Sequence, residues 1–125
     1  MWKTIIYVAI GSAIGGVARF LLQQSIQRRA ATTFPYGTLG VNLLGCFVIG
    51  IVVGLADKGN ILSPNGRIFL AVGLCGGFTT FSSFIAENYS MLRGGELLNT
   101  FIYLSASVIL GLIITTLGIF LIKCL

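Results

Sequence analysis

Residues 73–84 read GLCGGFTTFSSF, which puts two adjacent glycines and four hydroxyl side chains inside an otherwise apolar run. The run continues for 19 residues without a charge, between Arg67 and Glu87. A helix needs about 20 mainly apolar residues to cross the hydrocarbon core of a bilayer. Paired glycines weaken a helix and β-branched threonines do not restore it. The stretch therefore predicts a membrane span whose helix is broken near its centre, between Gly76 and Thr80.

Three further apolar stretches surround this one. Uncharged runs of 15, 27 and 26 residues lie, in order, between Lys3 and Arg19, Arg29 and Asp57, and Glu96 and Lys123. The sequence thus predicts four transmembrane helices, at about residues 4–23, 36–56, 67–91 and 97–122. They form a single four-helix transmembrane domain over residues 1–125 of an all-α membrane protein. We expect the first to be a mature span, because it runs on through Arg19 without a small-residue cleavage site.

The composition favours a membrane protein and excludes several other classes. Hydrophobic residues make up 56% of the 125 positions and charged residues 9%, whereas soluble domains carry about 25% charged residues. The chain has no histidine and only three acidic residues. It therefore lacks a credible general base or metal site for an enzyme. The net charge of +5 is spread over short connections, so we expect no nucleic-acid partner.

Short polar segments connect the predicted spans. The first covers residues 23–35, and the third is the Gly94-Gly95 pair. The second contains two runs of turn-forming residues, Asp57-Lys58-Gly59-Asn60 and Ser63-Pro64-Asn65-Gly66. Connections this short leave no room for a separate domain.

Positive charges outside the spans are divided almost evenly between the two sides of the membrane. One side would hold Lys3, Lys58, Arg67 and Lys123, and the other Arg28, Arg29 and Arg93. Asymmetry of Lys and Arg in short loops normally sets the orientation of a membrane protein. Near balance predicts that the chain inserts both ways up and pairs as an antiparallel dual-topology homodimer. The alternative is that weaker signals select one orientation.

Polar side chains at membrane depth are costly and so mark candidate functional sites. Arg19, near the end of the first span, either reaches the interface or draws anions into a vestibule. Asn42 on the second span has Thr38 one turn before it; its amide either joins two helices or donates to a ligand. Tyr103 and Ser107 form another hydroxyl stripe on the fourth span. Glu87 is the only acid expected near membrane depth.

Phe81 and Phe84 share one face of the third span, with Ser82 and Ser83 beside them. The edges of aromatic rings are positive, so the pair could line an anion path, although helical spacing of phenylalanines also fits plain packing. A helix break frees backbone carbonyls, which in membranes coordinate ions. In an antiparallel dimer, carbonyls of both chains could hold a small cation.

Three motifs together resemble the Fluc family of fluoride channels, also called CrcB. They are GGVAR at residues 15–19, GTLGVN at residues 37–42 and GGFTTFSSF at residues 76–84. The similarity covers essentially the whole chain. It implies an antiparallel homodimer in the inner (cytoplasmic) cell membrane, with two pores through which fluoride leaves the cell passively, so that its toxicity falls.

The resemblance also implies roles for individual residues. Phe81 and Phe84 are similar to the pore phenylalanines of the family, Asn42 to its pore asparagine, and Arg19 to its vestibule arginine. The polar track of the pore would comprise Ser82, Ser83, Thr38, Tyr103 and Ser107. The backbone carbonyls of Gly76 and Thr79 would hold a structural sodium ion (Na+) at the dimer centre. The family often has threonine at the position of Ser83, which keeps the hydroxyl group.

Two other functions stay open at this point. A small proton-coupled multidrug-resistance-type transporter is also short and four-span, but such proteins carry a glutamate in the first span. Here the first span has no acid, and Glu87 lies on the third. A non-transporting assembly subunit would use the 17 glycines only for packing. Fluoride fits the residues better, because a pore must replace its tightly held water with several neutral donors.

Overall fold

The computed structural model describes residues 1–59 and 61–125, and in these ranges all regular structure is helical. Within these ranges, four helices are long and apolar enough to cross a membrane: Trp2–Ala30, Tyr36–Asp57, Pro64–Arg93 and Leu97–Lys123. The predicted all-α chain with four membrane-spanning helices is confirmed. Asn60, which belongs to a predicted turn, lies outside the described residues.

The first span, α1 (Trp2–Ala30), is longer than predicted. Its 29 residues measure about 43 Å at 1.5 Å per residue, which exceeds a hydrocarbon core of about 30 Å. The helix thus continues beyond the predicted span, through residues 24–30 of the predicted polar connection, because glutamine and arginine are good helix formers. The helix ends at Ala30, and the next residue, the C-cap Ala31, has a left-handed conformation with a φ of 49°.

The second span, α2 (Tyr36–Asp57), agrees with the predicted 36–56.

The third span contains α3 (Pro64–Arg67), a π-helical segment (Ile68–Cys75), α4 (Gly76–Phe78) and α5 (Phe81–Arg93). Its start corrects the predicted turn at residues 63–66: Ser63 accepts a hydrogen bond from the Gly66 N–H as an N-cap, and Pro64 takes the first helical position, which proline favours. The glycine pair, Gly76 and Gly77, is helical.

The fourth span, α6 (Leu97–Lys123), agrees with the predicted 97–122. It follows a turn in which Gly95 has a φ of 81°, a conformation that glycine adopts without strain. The first span packs mainly against the first half of the third, and α2 packs mainly against α6. Glycines lie at both contacts, as helix packing in lipid favours.

Two adjacent glycines of α1 provide a matched test of this packing. A Cβ atom on Gly15 would lie 2.9 Å from the Phe78 backbone nitrogen and still closer to the Leu74 carbonyl oxygen, whereas one on Gly16 would meet nothing within 4 Å. We expect Gly15→Ala to lower the free energy of unfolding by about 1–3 kcal/mol, the usual effect of overpacking. Gly16→Ala should raise it by up to about 1 kcal/mol, because alanine favours the helix. Denaturant unfolding in detergent measures both, and equal effects would contradict the packing described.

Candidate functional site

The third span leaves the helical conformation at two threonines. Thr79 has φ −93° and ψ 158°, and Thr80 has φ −146° and ψ 118°, so both are extended. Backbone groups at membrane depth have to find partners within the protein. The contacts of this extended pair therefore define the first part of the site.

Asn42 on α2 bonds the backbone of Thr80 with both ends of its amide. Its Nδ2 donates to the Thr80 carbonyl at 3.2 Å, and the Thr80 N–H donates to Asn42 Oδ1 at 2.9 Å. The Thr80 hydroxyl accepts the Ser83 N–H at 3.2 Å and caps α5. In a continuous helix these two N–H groups would bond the carbonyls of Gly76 and Thr79. Those two carbonyls have thus lost their helical donors to side chains.

The first span also contacts this region. Arg19 donates from Nε to the Gly77 carbonyl at 3.2 Å; the helical donor of that carbonyl would have been the Phe81 N–H. On α2, a Cβ atom at Gly45 would overlap the Thr79 side chain. Arg19, Asn42 and Gly45 thus hold the extended pair between the first two spans.

Glu87 on α5 accepts hydrogen bonds from hydroxyl groups of two other spans. Thr38 Oγ1 donates to its Oε2 at 2.8 Å, and the Tyr103 hydroxyl donates to its Oε1 at 2.9 Å. Gln23 on α1 donates from Nε2 to Thr38 Oγ1 at 2.9 Å. Thr38 and Tyr103 are fully buried, and Glu87 is half-buried. These four side chains, the Glu87 cluster, connect all four spans through hydrogen bonds, which are stronger when the acceptor is a carboxylate.

A row of aromatic rings leads away from the Glu87 cluster. The Phe84 ring lies 4.9 Å from the Tyr103 ring, and the Phe81 ring lies 6.0 Å from the Phe84 ring, between centroids. Phe34 packs on Tyr103 at 5.7 Å with its plane turned by 74°. Phe84 is 7% exposed and Phe81 is 73% exposed, so the row runs from the interior to the surface of the chain.

Two cavities border the residues of the site. The polar cavity, of about 820 Å³, is bordered by α1 and α5 and includes Arg19, Gln23 and Glu87 in its wall. The apolar cavity, of about 450 Å³, includes Asn42 and the extended pair. Glu87 faces the first cavity and Phe84, one turn before it, faces the second.

Residues 6–119 match the family described as CrcB-like protein, Camphor Resistance (CrcB). The chain belongs to the CrcB family. It is 45% identical over 121 residues to a protein of Flavobacterium psychrophilum, a match that covers 97% of this chain and 98% of the relative. It is 47% identical over 115 residues to a protein of Chlorobium chlorochromatii (92% and 88% covered) and 42% identical over 120 residues to one of Methylobacillus flagellatus (95% and 94% covered). All three relatives are named fluoride-specific ion channel FluC.

The resemblance to the CrcB family is therefore confirmed, and with four membrane-spanning helices the chain is a multi-pass membrane protein. The structure brings together most of the site residues that the resemblance implied. Thr38 and Tyr103 meet at Glu87, and Arg19 lines the polar cavity. The apolar cavity is lined by Asn42, Phe81, Phe84, Ser107, Gly76 and Thr79. The roles of these residues in transport stay predictions.

Three serines of the predicted polar track differ in their surroundings. Ser82 and Ser83 line neither of the two cavities. Ser82 is exposed on the surface of the single chain. Ser107 lines the apolar cavity, and its hydroxyl oxygen is buried without a hydrogen-bond partner among the described residues. Of the three, Ser107 is thus the one that borders a cavity.

Sequence reasoning about this CrcB family chain missed two glutamines of the site. Gln23 belongs to the Glu87 cluster. Gln27 donates from Nε2 to the carbonyls of Thr32 and Phe34 at 2.7 and 3.0 Å, and its Oε1 accepts the Gly37 N–H at 2.9 Å. Both glutamines fall in the predicted polar connection. Their spacing, however, places Arg19, Gln23 and Gln27 four residues apart on one helix face. That spacing was the signal that could have identified them.

Proposed function

We propose that this chain forms a fluoride-selective ion channel, which exports fluoride passively across the cytoplasmic membrane and so reduces its toxicity. The observation that carries the proposal is 45% identity, over 97% of the chain, to a protein named fluoride-specific ion channel. Because the family is one of ion channels, the prediction that the chain is not an enzyme is confirmed. The same relatives give no support to a proton-coupled multidrug-resistance-type transporter.

The proposed pathway leads from the polar cavity past the Glu87 cluster and the phenylalanine rings to the apolar cavity. Fluoride holds its water strongly, so each lost water needs a replacement donor, yet no single site should bind the ion too tightly. Neutral hydroxyl and amide donors and the positive edges of aromatic rings meet both needs. The residues we propose to line the pore are Phe81, Phe84, Asn42, Ser82, Ser83, Thr38, Tyr103 and Ser107.

Arg19 is the residue we propose to attract anions into the polar cavity. Its Nε is held by the Gly77 carbonyl, and its Nη1 lies 3.5 Å from Gln23 Oε1. A fixed positive charge in a cleft raises the local concentration of anions. Held by these contacts, the guanidinium group acts at the cavity wall without entering the pathway.

We further propose that two chains assemble as an antiparallel homodimer. The near-even division of Lys and Arg supports dual insertion. On the single chain, Phe81 is 73% exposed and borders the apolar cavity. A second chain packed against this face would enclose the cavity and its phenylalanines within protein.

Charge substitutions test the dual topology. Arg29→Gln with Arg93→Gln removes two positive charges from one side, and Lys3→Gln with Lys58→Gln removes two from the other. Each pair should fix one orientation, so that cells expressing either variant alone release fluoride at the background rate. Co-expression of both should restore release, measured with a fluoride electrode. The balanced control, Lys3→Gln with Arg29→Gln, should stay active; activity of each biased variant alone would contradict dual topology.

The dimer centre is where we propose a structural sodium ion, next to a break in the third helix. The extended dihedral angles of Thr79 and Thr80 support the break. The carbonyls of Gly76 and Thr79 fit a hard cation, because they are oxygen ligands whose helical donors bond elsewhere. Both residues line the apolar cavity. A bound sodium ion would supply the positive charge that these carbonyls need as a partner.

Currents across a planar bilayer test the proposed function against coupled transport. With a fluoride gradient and equal pH on both sides, the current of a fluoride channel should reverse at the fluoride equilibrium potential. Imposing a pH gradient should leave that potential unchanged. A reversal potential that moves with the pH gradient would show proton coupling instead and would contradict a passive channel.

A further inference from the structure

Gln23 stands between a cation and a hydroxyl group at the edge of the Glu87 cluster. Arg19, one turn earlier on α1, donates from Nη1 to Gln23 Oε1 at 3.5 Å. Gln23 donates from Nε2 to Thr38 Oγ1 at 2.9 Å. Because a guanidinium group only donates hydrogen bonds, the amide oxygen has to face Arg19. The amide nitrogen then has to face Thr38.

This arrangement fixes the direction of the Thr38 hydroxyl group. A hydroxyl has one proton and two acceptor lone pairs. One lone pair accepts the Gln23 N–H, and the proton is left for Glu87 Oε2, which lies 2.8 Å away. Thr38 is 1% exposed, so bulk water does not compete for the proton.

The side-chain torsion of Thr38 is also constrained by this contact. Threonine in a helix divides between two χ1 rotamers, because its hydroxyl can bond carbonyls of the preceding turn. Here the hydroxyl bonds the side chains of Gln23 and Glu87 instead of those carbonyls. The Gln23 amide thus favours the rotamer that faces Glu87.

We propose that Gln23 is a positioning residue of the fluoride pathway, which keeps the Thr38 hydroxyl proton pointing to the side of Glu87, where its hydrogen bond switches from Glu87 to the passing anion. Arg19 contributes by fixing which way the Gln23 amide points. The inference rests on the proposed function, since it places Gln23 beside a pathway through the Glu87 cluster. A donor that is already oriented needs no reordering when the anion arrives, and so stabilises it more strongly.

The test is the fluoride dependence of efflux from proteoliposomes that contain the full-length chain. In Gln23→Met, the half-saturating fluoride concentration should rise about tenfold, which corresponds to the loss of one oriented hydrogen bond to an anion. Gln24→Met is the matched control: Gln24 borders the same cavity, but its side chain accepts a hydrogen bond from Arg28 at 3.4 Å and makes none to Thr38. Its half-saturating concentration should equal that of the wild type.

An isosteric pair keeps the test valid if Gln23→Met fails to fold. Gln23→Glu places a carboxylate beside Thr38. The Thr38 hydroxyl should then donate its hydrogen bond to this carboxylate in place of Glu87, so the half-saturating concentration should rise by more than about tenfold. Gln24→Glu adds the same charge to the same cavity and should change it by less than about twofold, because exposed charges are screened. Equal effects of the Gln23 and Gln24 substitutions would overturn the inference and leave the proposed function intact.

Two further outcomes are decisive. A lower maximal rate in the Gln23 variants with an unchanged half-saturating concentration means fewer folded channels, and would overturn the positioning role. Wild-type protein that releases no fluoride would overturn the inference together with the proposed function.

Discussion

Phe84→Ile, and equally Phe81→Ile, is expected to nearly abolish fluoride efflux while the dimer still assembles. The Phe84 ring lies between the rings of Phe81 and Tyr103, at the border of the apolar cavity. Isoleucine is apolar but has no positive ring edge to face an anion. A loss of efflux of about 100-fold corresponds to roughly 2.7 kcal/mol of anion stabilisation, at tenfold per 1.36 kcal/mol.

The control for this prediction is Phe120→Ile, at an exposed position near the end of α6. The same substitution there should leave the efflux rate unchanged. Size-exclusion chromatography and thermal unfolding should show that all three variants remain folded, with stability losses of about 1 kcal/mol at Phe84. If the double variant Phe81→Ile, Phe84→Ile releases fluoride at the same rate as the wild type, the assignment of these rings to the pore is contradicted.

Asn42→Leu is expected to remove both stability and fluoride efflux. Leucine has nearly the same shape but leaves the Thr80 N–H and carbonyl without the two hydrogen bonds that Asn42 supplies. Unsatisfied backbone groups at membrane depth cost several kcal/mol each. We therefore expect the free energy of unfolding in detergent to fall by about 3 kcal/mol or more. Titration with denaturant measures the change.

Two variants separate this structural role from a general sensitivity to polar substitutions. Asn88→Leu makes the same replacement at a buried amide that makes one hydrogen bond, from Nδ2 to the Phe84 carbonyl at 2.8 Å, and whose Oδ1 has no partner among the described residues, so it should cost about 1 kcal/mol. Asn42→Asp keeps the acceptor for the Thr80 N–H and should fall between Asn42→Leu and the wild type. If Asn42→Leu and Asn88→Leu lower the free energy of unfolding by the same amount, Asn42 does not hold the extended pair.

The four spans could be predicted from the sequence because charges bound each apolar run. The end of α1 could not be placed, since polar glutamines and arginines look like a loop in hydropathy but are good helix formers.

The conformation at the centre of the third span differs in detail from the prediction. Gly77 is helical, and as a glycine it allows close contact between the helices, because a Cβ there would lie 2.6 Å from the Ser12 carbonyl oxygen. The extended residues are Thr79 and Thr80.

The candidate site was predictable as a set of residues but not as a network. Asn42, Phe84 and Tyr103 stand out as polar or aromatic side chains in apolar spans, and the family resemblance named them. That Glu87 receives both the Thr38 and the Tyr103 hydroxyls depends on how three different spans pack, which periodicity within one span does not reveal. The π-helical segment at residues 68–75, which packs against α1, likewise has no distinctive composition from which it could be predicted.

Efflux from proteoliposomes loaded with potassium fluoride tests the central claim most directly. After addition of valinomycin, which carries the compensating potassium, a fluoride electrode records the ion that leaves, and vesicles loaded with potassium chloride are followed in parallel. A fluoride-selective channel predicts rapid release of fluoride and no release of chloride above that of protein-free vesicles. Release of both anions at similar rates, or of neither, would contradict the account.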